Sequence, residues 1–200
     1  MRTITHTILS FAEMNEEQKA KAIDFMTTRE YESGDNAFAE GIDSHHVEVL
    51  KAHGFDDIKS EWSGFSSQGD GASFSADSID VEKFLRKVGQ WSQYKALHNA
   101  INDGVLTFKI VRSGLRYSHE NTVYAAQNES YWPETKNQEH KANELETVLT
   151  EFVRKVSREY YRDLESAYNQ SVSEEGIKDM IEANEYEFKL NENGEVYALA

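Results

Sequence analysis

Cysteine is absent from this chain, which removes disulfides, cysteine-ligated zinc and thiol nucleophiles from consideration at once. Proline occurs once, as Pro133 behind Trp132; its ring fixes the backbone, and two structural regions are expected to part there. Positive charge is scarce. Against 36 Asp and Glu stand 21 Lys and Arg, a net charge of −15. Neutralising a phosphate backbone takes clustered cations, so this balance argues against direct nucleic-acid binding. Long apolar runs are missing as well. Met1 to Phe11 lack the hydrophobic stretch of a secretory signal, and no segment approaches the ~18 apolar residues of a spanning helix. The expectation is a cytoplasmic protein with no membrane association.

What is present is aromatic. Ten Phe, ten Tyr and three Trp supply large side chains for a core, although only 38% of the residues are hydrophobic. Two hundred residues suit a single domain over 1–200, with a subdivision into 1–132 and 133–200 as the variant that Pro133 allows. An acidic surface suits a partner with a basic one, while the plainer use of the charge is solubility.

Hydropathy patterning sets out the elements. Thr3 to Leu9 alternates, with Ile4, His6 and Ile8 on one side, and predicts a short strand. Asn15 and Gln18 have the form of a capping box opening a helix over 16–30 that buries Ala20, Ile23 and either Phe25 or Met26. After a break at 31–35, a second helix over 36–53 should stop at Gly54. From Ile58 to Ala76 the pattern is extended, a hairpin with a glycine-rich loop. Asp80 should cap a third helix reaching Asp103. Val105, Leu106, Phe108, Ile110 and Val111 read as a strand. It turns at Ser113-Gly114 and pairs with Leu115, Tyr117, Thr122, Val123 and Tyr124.

Beyond Pro133 a helix over 138–170 carries Leu145, Val148, Leu149, Phe152, Val153, Val156, Tyr160, Leu164 and Tyr168 on one face. That face can pack across a sheet, and it would equally serve a homodimer through this helix. Ser173 should start a short helix ending near Asn184, and 186–199 a hairpin turning at Asn193-Gly194. The fold class is therefore α+β: a small antiparallel sheet with packed helices and a long C-terminal helix.

The stretch Trp62-Ser-Gly-Phe-Ser-Ser-Gln-Gly-Asp-Gly-Ala-Ser-Phe74 carries the densest signal. Gly69 and Gly71 allow backbone N–H groups to converge into a nest, with Ser67, Gln68 and Asp70 around it and His119 as the nearest acid–base candidate. Asp70 can bind or orient a ligand there; equally, it can satisfy its own loop's N–H groups as an Asx-turn. His119 and Glu120, adjacent on a strand, would face opposite sides. His45, His46 and Glu48 lack the His-x3-His spacing, since adjacent helical residues diverge by ~100°, so no metal and no cofactor are expected. Glu151 with Lys155 has the spacing of a surface ion pair. No P-loop, nucleophile elbow or dinucleotide fingerprint occurs. Trp91 and Tyr94 should cover the core, whereas Tyr131 and Trp132, beside Pro133, should stay partly exposed, as interface anchors do.

The order of these pieces resembles a family of bacteriophage and prophage proteins. The likeness rests on Asn-Glu-Glu-Gln-Lys-Ala-Lys-Ala at 15–22, Gly-Phe-Asp at 54–56 and the Trp-Ser-Gly-Phe…Gln-Gly-Asp-Gly-Ala-Ser-Phe segment. It continues through Tyr117-Ser118-His119-Glu120, Glu-Ala-Asn-Glu-Tyr-Glu-Phe at 182–188 and Asn-Gly at 193–194. Such proteins often bear an antitoxin-like label. The resemblance implies an acidic accessory protein that inhibits a host-defence or toxin protein by stoichiometric binding, and it brings no catalytic residues with it. Tyr131, Trp132, Glu139, Glu144 and Glu146 are the candidate contact residues for such a partner. The alternative is a small-ligand binder or enzyme built on Gln68-Gly69-Asp70-Gly71.

Overall fold

A computed structural model describes residues 7–33, 36, 38–114 and 117–200. Ile4, His6 and Leu115, assigned above to strands, lie outside those residues. The architecture is α+β, with two antiparallel sheets and helices. Contacts divide the chain into two compact units: one formed by Met1–Phe38 with Ser166–Ala200, the other by Ala39–Glu165.

In the unit built from both chain ends, β1 (Thr7–Ser10) pairs with β6 (Glu187–Leu190), which pairs with β7 (Val196–Leu199). Helix α1 (Glu16–Ser33) opens as its sequence dictates: the Gln18 N–H donates to Asn15 Oδ1, and the Asn15 N–H donates to Gln18 Oε1, both at 3.0 Å. The buried face of α1 keeps Met26 and the half-buried Ile23 of the expected set, but not Ala20. Ala22 and Met26 are buried, whereas Ala20 is exposed. They pack with Phe11, Met14, Phe188 and Leu190, and with Ile177 and Ile181 of helix α6 (Glu174–Ala183). Ser173 caps α6, accepting the Gly176 N–H at 3.1 Å.

The larger unit holds a four-stranded sheet in the order β2 (Phe55–Ser63), β3 (Gly71–Ile79), β4 (Phe108–Arg112), β5 (Val123–Gln127). β2 and β3 form the expected hairpin, in register from Phe55↔Ile79 to Ser63↔Gly71. The single bridge Ala76↔Ile110 joins β3 to β4. Helix α2 (Ala39–Ala52) ends beside Gly54, as expected. The helix expected over 80–103 is broken. Asp80 does cap α3 (Val81–Lys87), accepting the Lys83 N–H at 2.9 Å. A 3-10 stretch at Trp91–Leu97 and α4 (His98–Asn102) then follow. Gly89, in the left-handed region at φ +74°, ends α3. The turn beyond it buries Tyr94 and Leu97 and stacks Trp91 on His98 at 3.7 Å, a contact that residues seven apart in a continuous helix, about 10 Å apart along its axis, could not make. β4 begins at Phe108, later than the pattern implied: the Thr107 N–H donates to the Asn128 side-chain oxygen, and the Thr107 carbonyl accepts the Asn128 N–H.

Helix α5 (Lys136–Ser171) provides the cover. Leu145, Leu149, Val153, Val156, Tyr160 and Leu164 are buried within the chain, so the face that would have served a homodimer seam is spent on the protein's own core. Phe152 stacks on Phe55 with centroids at 5.8 Å, and Phe74 meets Tyr160 at 4.9 Å. Each large ring buried this way is worth about 1.5–3 kcal/mol. The helix also closes the sheet's edge: Thr150 Oγ1 accepts the Ala125 N–H at 2.8 Å, and Arg154 Nε donates to the Val123 carbonyl at 3.0 Å. Backbone groups that would otherwise template another strand are thereby satisfied.

Candidate functional site

The β2–β3 loop is a closed device rather than an open cradle. Asp70 Oδ2 accepts the Ser66 N–H at 2.9 Å and the Ser67 N–H at 2.6 Å, while the Asp70 N–H donates to the Ser67 carbonyl at 3.1 Å. The Ser66 and Ser67 N–H groups are thus turned on the loop's own carboxylate rather than on an external anion. Trp62 stacks on Phe65 at 5.4 Å, Phe65 meets Tyr161 of α5 at 5.6 Å, and the Tyr161 hydroxyl donates to the Gly64 carbonyl at 3.2 Å. Burial raises the Tyr161 phenol above its ordinary value, with Glu165 and Asp70 adding to the shift.

The structure does bring the loop and His119 together. A Cβ on Gly71 would lie 2.9 Å from His119 Cδ2 and 2.9 Å from the Ser118 carbonyl oxygen. One on Gly69, whose φ is +100°, would lie 2.8 Å from the Tyr117 ring. Both glycines are therefore demanded by close approach of residues 117–119. That segment is not the expected strand. His119 is extended and caps a 3-10 turn at Glu120–Thr122, and pairing with β4 starts only at Val123. His119 and Glu120 consequently do not face opposite ways: Nδ1 accepts the Asn121 N–H at 3.1 Å, and Glu120 Oε2 lies 2.9 Å from the same nitrogen. Ser118 is held by Arg112, which is ion-paired with Glu61. Sequence reasoning missed Glu61, Arg112 and Tyr161, because their partners stand 51 and 97 positions away. Gln68 and Ser67 stay with the loop.

The histidine pair of α2 divides its labour. His46 is buried and bonds through Nε2 to Asp163 Oδ2 at 2.7 Å, with its ring 5.4 Å from Tyr160. The Tyr160 hydroxyl donates to Asp43 Oδ1 at 3.2 Å. Burial first and the Asp43 carboxylate second push that phenol far above its ordinary value. His45 lies edge-on to His46. Among the described residues no group of three or more His, Asp and Glu is placed to hold a metal ion.

The second candidate region is the connection from β5 to α5. Asn128 is its hub: Oδ1 accepts the Thr107 N–H at 2.8 Å, and Nδ2 donates to the Val105 carbonyl at 2.8 Å and to Ser130 Oγ at 3.0 Å. The Tyr131 N–H donates to the Asn128 carbonyl at 3.2 Å. On the far side of Pro133, Gln138 Oε1 accepts the N–H groups of Glu134 and Thr135 at 2.8 and 3.1 Å. Between these two clamps Trp132 is 83% exposed, while Tyr131 is half-buried. Burial raises the Tyr131 phenol, with Glu134 adding to the shift.

Beside the connection, a recess of about 820 Å³ is lined by Asp77, Lys109, Val111, Tyr124, Ala126 and Glu129, among others. Of the acids expected on α5, Glu139 is exposed and Glu146 half-buried. Glu144 is engaged within the chain, accepting from Lys141 Nζ at 2.8 Å and lying 3.4 Å from the Tyr94 hydroxyl. Its bond to Lys141 holds its carboxyl below the usual range. Lys155 lies 3.8 Å from Glu159, not in the expected pair with Glu151.

A family model described as a domain of unknown function, DUF8835, matches residues 31–174. The chain belongs to the DUF8835 family. That match encloses the whole of the larger unit and takes in the Asp70 loop, His119 and Trp132, whereas β1, most of α1 and the terminal hairpin lie outside it. No curated protein and no solved structure matches the chain. In this DUF8835 protein no helix among the described residues is long and apolar enough to cross a membrane.

Proposed function

We propose that the protein is an acidic accessory protein, encoded by a phage or prophage, that inhibits a host-defence or toxin protein by stoichiometric binding. The net charge of −15 carries this reading: it favours a basic protein surface and speeds encounter with one. The closed Asp70 loop is in keeping with it, since the carboxylate best suited to a ligand is occupied by Ser66 and Ser67 of its own turn. The phage setting rests on the resemblance of the motifs, and the target is a cytoplasmic protein of the host cell.

The test is a tagged pull-down from host lysate at low and moderate salt, with the native mass of the retained complex. A single protein partner at fixed stoichiometry, weakened by salt, is the expected result. Retention of a small molecule with no protein overturns the reading and returns attention to Gln68-Gly69-Asp70-Gly71 and His119.

A further inference from the structure

An inhibitor that binds a protein needs an anchor, and the β5–α5 connection has the form of one. Trp132 is 83% exposed. Leaving so large an indole in water forgoes the burial that most tryptophans obtain. The exposure does not come from a loose loop. Asn128 fixes the chain ahead of Trp132, Gln138 fixes it behind, and Gln138 Nε2 also donates to the Ala96 carbonyl at 3.2 Å. Pro133 restricts the backbone on both sides of its own peptide bond. A rigid backbone presenting a side chain with two torsions loses little entropy on docking, which is what makes tryptophan an economical hot spot.

The flanks describe the receiving surface. Glu129 and Glu134, both exposed, bracket the turn in sequence, and Tyr124, 44% exposed, lines the adjoining recess with Val111 and Ala126. A second copy of the chain would bring another −15 to the same place, so self-association is opposed by like charge. Resting on the inhibitor reading above, we infer that Trp132 is the anchor of the interface, received by the partner protein in an apolar pocket rimmed by lysine or arginine side chains.

The experiment uses the full chain, W132F, W132A and E129K/E134K as baits in one host lysate, then titrates the retained partner, once purified, against each by calorimetry. Wild type and W132F should hold the same partner. W132A should weaken it about 30-fold or more, with its own thermal midpoint unchanged. E129K/E134K should weaken it at low salt, with the loss shrinking as salt rises. Binding by W132A within about three-fold of wild type overturns the anchor and leaves the inhibitor reading standing. No protein retained by wild type overturns both. Self-association that depends on Trp132, seen in the native mass, overturns the basic partner in favour of a second copy.

Discussion

Replacing Asp70 by alanine separates a structural loop from a ligand site. The carboxylate accepts two backbone N–H groups, from Ser66 at 2.9 Å and Ser67 at 2.6 Å, in an exposed setting. Charge-assisted bonds of this kind sit at the low end of their range when water competes, near 1 kcal/mol each, as a lost helix cap does. Asp70→Ala should therefore cost about 2 kcal/mol, a fall in Tm of about 4–8 °C for a chain of this size. Asp70→Asn keeps an oxygen where Oδ2 stands and should lose about half as much.

Gly71→Ala strikes the same device from the other side, placing a methyl 2.9 Å from the Ser118 carbonyl and from His119 Cδ2. Backbone must move to admit it, so its cost should equal or exceed that of Asp70→Ala. Urea unfolding followed by circular dichroism gives the three differences directly. A Tm for Asp70→Ala within about 1 °C of wild type would refute the architectural role, because water would then replace both carboxylate bonds without loss, unlike the loss of a helix cap. Should wild type also gain ligand-dependent thermal stability that Asp70→Ala lacks, the loop is a binding site after all.

Stability should fall at high pH for a reason the core supplies. Burial and Glu144 push the Tyr94 phenol up to about 12, and Tyr160 is raised further by burial and Asp43. From pH ~10, where unfolded phenols ionise, the folded state holds the extra protons, so stability is lost as pH rises toward 12. Tyr94→Phe should flatten that limb in urea titrations between pH 9 and 11.5; an unchanged slope would remove Tyr94 as its source. At the sheet edge, Thr150→Val leaves the Ala125 N–H without the acceptor it has at 2.8 Å, a loss of about 1–2 kcal/mol read from urea midpoints. Equal midpoints for Thr150→Val and wild type would show that this bond does not seal β5.

The elements whose pattern is local were legible from the sequence. Asn15 and Gln18 cap α1, the period of α5 marks its buried face, and the hairpin β2–β3 closes where the glycines fall, because each depends on contacts within a few residues. Charge and the isolated Tyr131-Trp132-Pro133 run likewise announced an exposed aromatic. What the tertiary structure decided is pairing at a distance. That Ser118 and His119 press on Gly71, that Arg112 reaches Glu61, and that α5 satisfies the edge of β5 all join segments far apart in the chain. Seating residues 117–119 against β3 likewise delayed β5 to Val123, whereas the helix after Asp80 ends at Gly89, a left-handed stop that the sequence itself carried. Local periodicity fixes which face of an element is apolar; only the packed chain fixes what that face meets, and so which polar groups remain to meet a partner.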